Sequence, residues 1–154
     1  MAKSDNSDHV ASHAHGYDSQ AAKLDKADHI TFTRIASTDT EIPDQPGSNF
    51  LHFDTFPSVD KEGEVAFGQS LTAFGNVIAI YVGSGGELQL VADVNTLLPG
   101  NPGPIVRFDG PVIGDSVVAF VARGGEGGVY SWEAGSINVT VVQSTVLPDG
   151  SQRI

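Results

Sequence analysis

Three histidines near the start, His9, His13 and His15, stand among Asp5, Asp8 and Asp18, residue types that can hold a divalent metal. In a helix, His9 and His13 would share one face. The competing reading is a free arm with scattered histidines and nothing to orient them as ligands. Further along, Asp93, Asn95 and Asp109 offer oxygen atoms of the kind calcium takes, but the Asp-x-Asp-x-Asp-Gly loop is absent. Asp93 and Asn95 stand where a strand should end, and Asx side chains there commonly cap their own turn. Capping is the preferred reading. Trp132 lies two residues beyond Tyr130, on the same side by strand alternation. It suits a sugar platform or the packing between repeated units.

The remaining clusters point away from catalysis. Asp60, Glu62 and Glu64 alternate onto one face, but three like charges beside Lys61 in a turn do not make the spaced acid and base pair of a glycosidase. Gly83-Ser84-Gly85-Gly86 and Gly124-Gly125-Glu126-Gly127-Gly128 lack the Lys-Ser/Thr of a phosphate loop, and no helix is expected after either. Both fall between expected strands, where glycine supplies the positive φ of a hairpin. Asn138-Val139-Thr140 is a formal glycosylation acceptor placed in mid-strand. No enzymatic activity is expected.

Composition narrows the field further. The 154 residues carry 19 Asp and Glu against 8 Lys and Arg, a formal net charge of −11, and no cysteine. Thiol catalysis, disulfides and cysteine-bound zinc are excluded outright. The acidic balance disfavours nucleic acid and anionic membrane surfaces as partners. The longest apolar runs, 77–82 and 117–122, span six residues each, where a spanning helix needs about 20. Met1-Ala-Lys-Ser-Asp lacks the apolar core of a signal peptide.

The elements that must position these residues are strands. Residues 1–29 have few large apolar side chains and read as a flexible acidic, His-containing arm. From Ile30 onward, β-branched and aromatic runs are cut every eight to twelve positions by Gly, Pro, Asp or Asn, an all-β texture. Strands are expected at 30–36, 50–56, 64–71, 76–82, 87–92, 105–108, 116–122, 128–132 and 136–142. Most of the aromatics, Phe56 and Phe74 among them, are expected in the core.

The pattern repeats. Val65-Ala66-Phe67 recurs as Val118-Ala119-Phe120, 53 residues later, and Ile80-Tyr81 recurs as Val129-Tyr130, 49 later. Leu98-Pro99-Gly100 matches Leu147-Pro148-Asp149 and, more loosely, Ile42-Pro43-Asp44. The expected architecture is two antiparallel blade-like repeats of about 50 residues, of β-propeller type. The all-β domain covers 30–150, with repeat 1 at about 45–99, repeat 2 at about 100–148 and a leading strand at 30–36.

The unit resembles the bacterial choice-of-anchor tandem repeat NxxGxxAF-containing family. Val91-Ala92-Asp93-Val94-Asn95-Thr96-Leu97-Leu98-Pro99-Gly100 fits the first part of that repeat. Asp60-Lys61-Glu62-Gly63-Glu64-Val65-Ala66-Phe67 fits its motif with Asp replacing Asn, and Gly128-Val129-Tyr130 fits its end. In the second copy Ile113 and Ser116 hold the Asn and Gly positions, so that turn should be rebuilt. The resemblance implies a propeller-like protein displayed outside a bacterial cell or on its surface. Two blades leave apolar faces open, so copies of the chain should associate, as a ring or a filament. The expected role is structural or adhesive; the alternative is a module binding a polysaccharide or calcium, with no other cofactor.

Overall fold

The computed structural model describes residues 31–43, 45–54, 56–73 and 75–142. Among the described residues there is no helix, and nine strands form one open antiparallel sheet. They are β1 (His52–Phe53), β2 (Ser58–Val59), β3 (Val65–Ser70), β4 (Val77–Gly83), β5 (Gln89–Asp93), β6 (Arg107–Gly114), β7 (Val117–Arg123), β8 (Gly128–Glu133) and β9 (Ser136–Val142). The order is β1-β3-β4-β6-β7-β8-β9, with β2 also pairing β3 and β5 also pairing β4. The all-β class is as expected. Val77 of β4 pairs Phe108 of β6, which joins the strands of the two halves in one sheet.

Matching positions of the two halves occupy matching places. Phe67 pairs Tyr81 across β3–β4, and Phe120 pairs Tyr130 across β7–β8. The rings stack at 5.9 Å and 5.8 Å respectively. Phe53 meets Phe67 edge-on at 5.6 Å, as Phe108 meets Phe120 at 5.7 Å. Such pairs contribute roughly 0.5–1.5 kcal/mol beyond their area. The β4–β5 ladder is bulged between Ile80 and Tyr81, and the β8–β9 ladder between Val129 and Tyr130.

Two cores lie on opposite sides of β3–β4. On one side Phe67, Ala79, Tyr81 and Leu88 pack with Ile42 and Phe50, joined by Ile35 and Ala36. On the other, Ala66, Ile80, Val82 and Ala92 pack against Phe120, Tyr130 and Trp132 of the second half. A strand covered on both faces reads as a continuous apolar run, and Val77–Val82 is one.

Several expected strands differ. No strand forms over 31–36: Phe32 is exposed, and Ile35 and Ala36 pack on the first core without a ladder partner. The strand expected at 50–56 is only His52–Phe53, with Ser58–Val59 following as an unforeseen β2. The strand expected at 105–108 starts at Arg107 and runs on through Pro111 to Gly114. Proline is tolerated there because the register shifts between Asp109 and Val112, so its missing N–H breaks no ladder bond. Phe56 is exposed rather than core; Phe74 and the arm 1–29 lie outside the described residues.

The hairpins show which turn chemistry each half uses. In the first half, Asp60 Oδ1 accepts from the N–H of Glu62 and Glu64 at 3.0 and 2.9 Å. In the second, Asp115 and Ser116 alone link β6 to β7, at φ 49° and 60°. The β8–β9 turn is Ala134-Gly135, at φ 47° and 85°. Two positive φ values suit Asn-Gly best, and alanine pays a steric cost there. Ala134→Asn is therefore expected to stabilise the fold by about 0.5–1 kcal/mol, read as a higher urea midpoint with unchanged slope. A lower midpoint would mean that the turn is not of this type.

Candidate functional site

A short arch positions one wall of a partly polar cavity. Glu41 bridges Asn49, the Ile42 N–H donates to Ser48 O at 2.7 Å, and the Gly47 N–H donates to Glu41 Oε1 at 2.6 Å. Pro43 and Pro46-Gly47 bend the chain between these contacts. Ile42 and Phe50 anchor the arch in the first core. Its Gln45, Ser48 and Asn49 then face β3, β4 and the turn after β5 across a cavity of about 430 Å³.

The buried wall of that cavity is Gln69, paired with Tyr81. The Tyr81 hydroxyl donates to Gln69 Oε1 at 3.1 Å. At the matching place in the second half Ala122 replaces Gln69, and the Tyr130 hydroxyl is buried with no hydrogen-bond partner. Burial raises the Tyr130 pKa above its ordinary value, and the negative charge of Glu126 adds to this. The two tyrosines should thus respond oppositely to loss of the hydroxyl. Tyr81→Phe should cost about 1–2 kcal/mol by stranding Gln69, whereas Tyr130→Phe should be neutral or stabilising by up to about 1 kcal/mol. Chemical denaturation of both variants measures the difference, and equal losses would count against it.

Asp93 and Asn95 border the same cavity. Asp93 Oδ1 accepts from the Asn95 N–H at 3.0 Å and the Thr96 hydroxyl at 2.8 Å, and Oδ2 from Asn95 Nδ2 at 3.0 Å. The Asp93 N–H donates to Thr96 Oγ1 at 2.8 Å. The same turn occurs 56 residues earlier, where the Ser37 N–H donates to Thr40 Oγ1 at 2.9 Å. In both, the acidic or hydroxyl side chain closes its own turn.

Asp109 and Trp132 lie elsewhere. Both Asp109 oxygens accept from Arg123 Nε, at 3.0 and 2.8 Å, and Arg123 Nη2 adds a contact at 2.6 Å. The hydrogen bond from Arg123 holds the Asp109 pKa below its ordinary value, against an opposing push from burial. Whatever stability this pair contributes is present above the unfolded carboxylate pKa and is lost as pH falls through the lower folded one. Being half-exposed, it contributes little. Trp132 is buried between the two halves, so its ring face is not open to a sugar. Lys61 bonds Asp115, and the Ser116 N–H donates to Asp60 Oδ2 at 3.4 Å, tying the two matching turns together.

His9, His13 and His15 lie outside the described residues. Among the described residues no group of three His, Asp or Glu side chains is placed to hold a metal ion. Gln69 is the site residue that the spacing arguments missed. Its signal is a polar amide within Val65-Ala66-Phe67-Gly68-Gln69, where alternation predicts a core position.

Comparison with protein-family models, with curated proteins and with solved structures gives no match.

Proposed function

We propose that the chain is a non-enzymatic structural or adhesive module, extracellular or on a bacterial cell surface, which self-associates through repeated blade-like units. The carrying observation is a mismatch between two equivalent faces. In the first half Ile80 and Ala92 are 0% and 1% exposed, covered by the aromatic face of the second half. Their counterparts in the second half, Val129 and Val141, are 37% and 43% exposed. Val121, Val129 and Val141 pair directly across β7, β8 and β9 and form one apolar row. The Val117–Ala122 run is apolar at every position, the pattern of a strand covered on both faces. An apolar face of this kind is characteristic of an interface. The matched registers and bulges support the blade reading. The likeness of 91–100 and 60–67 to the choice-of-anchor repeats supports a surface location. A second copy is the occupant proposed for the open face.

Light scattering at micromolar concentration tests this. The chain should run as a homo-oligomer, and Val129→Asp combined with Val141→Asp should convert it to a folded monomer. A well-folded wild-type monomer would overturn the self-association.

A further inference from the structure

We propose that the cavity between the 40–50 arch and strands β3 and β4 binds a neutral saccharide residue, with the Gln69 carboxamide as its buried anchor. This goes beyond self-association and does not depend on it, because every wall belongs to the first half of one chain. Gln69 is 5% exposed, lines the cavity and accepts a hydrogen bond from the Tyr81 hydroxyl. With Oε1 accepting from Tyr81, the amide nitrogen carries two further donors on a side chain that borders the cavity.

The rest of the lining selects the ligand class. Among the described residues no Lys, Arg or His borders the cavity, so an anion finds no counter-charge there. Among the described residues the carboxylate that borders it is Asp93, which already accepts three hydrogen bonds within its own turn and so is poorly disposed to a cation. What remains is amide and hydroxyl chemistry from Gln45, Ser48, Asn49 and Asn95, set against the exposed aliphatic side chains of Leu51 and Leu71. Hydroxyl edges and an apolar C–H face are the two sides of a pyranose ring. The volume, about 430 Å³, falls within the roughly 300–1,000 Å³ of ligand pockets. The second half is built differently: Ala122 stands for Gln69, and buried Asn101 bonds Gly124 O at 3.4 Å.

The test is a nuclear magnetic resonance titration of the full chain with methyl glycosides of glucose, galactose, mannose and N-acetylglucosamine. Glucuronic acid and glucose 6-phosphate serve as charged probes. At least one neutral glycoside should saturably shift the Gln69 side-chain amide together with the backbone amides of Asn49 and Asn95. Gln69→Leu should weaken that binding about tenfold or more. Asn49→Ala, on the exposed arch, should weaken it as well, and serves if Gln69→Leu does not fold. No saturable shift up to about 50 mM, a range that captures even feeble binding, would overturn the proposal. So would shifts confined to other residues, or charged probes binding as tightly as neutral ones.

Discussion

Phe120→Ala is expected to lower the unfolding free energy by about 3–5 kcal/mol, the usual range for emptying a buried aromatic site. Phe120 is 2% exposed and touches Phe108 and Tyr130 in the core that joins the two halves of the sheet. Neighbouring strands are pinned by ladder bonds and cannot collapse into the space, so the cavity should persist. Phe67→Ala should cost a similar amount, because Phe67 meets Phe50, Phe53 and Tyr81 in the first core. Urea denaturation of both variants provides the measurement. A loss below about 1 kcal/mol at either position would mean that its ring is not part of a close-packed core.

Gly125→Ala is the second large effect, at about 2–4 kcal/mol. Gly125 has φ 57°, a conformation that costs an L-residue about 1–2 kcal/mol. A Cβ there would also strike Asn101 Oδ1 and approach the Gly103 Cα to 2.9 Å. Asn101 Oδ1 accepts from the N–H groups of Gly103 and Glu126, both at 3.2 Å. Pushing it aside strands these donors, adding about 1–3 kcal/mol. The two contributions separate in a double-mutant cycle. In an Asn101→Ala background the clash with Oδ1 is relieved, so Gly125→Ala should cost less, leaving the backbone conformation and the approach to the Gly103 Cα. Strictly additive losses would show that the two residues do not communicate.

The sequence by itself determined the all-β class and the positions of its central strands. Val65–Ser70, Val77–Gly83, Gln89–Asp93, Val117–Arg123, Gly128–Glu133 and Ser136–Val142 lie within a residue or two of the expected spans. Alternation, β-branching and turn residues act over neighbours two to four positions apart, so they are legible without knowing what packs on what. The capping role of Asp93 was legible for the same reason.

Tertiary structure decided everything that depends on a distant partner. Residues 32–36 have strand propensity but form no strand, and of them Ile35 and Ala36 pack on the first core. Pro111 reads as a strand breaker, but a bulge at that point lets β6 pass through it. Trp132 reads equally well as a sugar platform until the first half closes over it. The same alternation predicts Ile80 and Val129 alike, and only the stacking of one half on the other buries the first and leaves the second open. Gln69 gains its meaning from a tyrosine 12 residues away on the next strand and from an arch that precedes both. A residue's own propensity is local, but the removal of water from its surroundings is a property of whatever the chain brings against it.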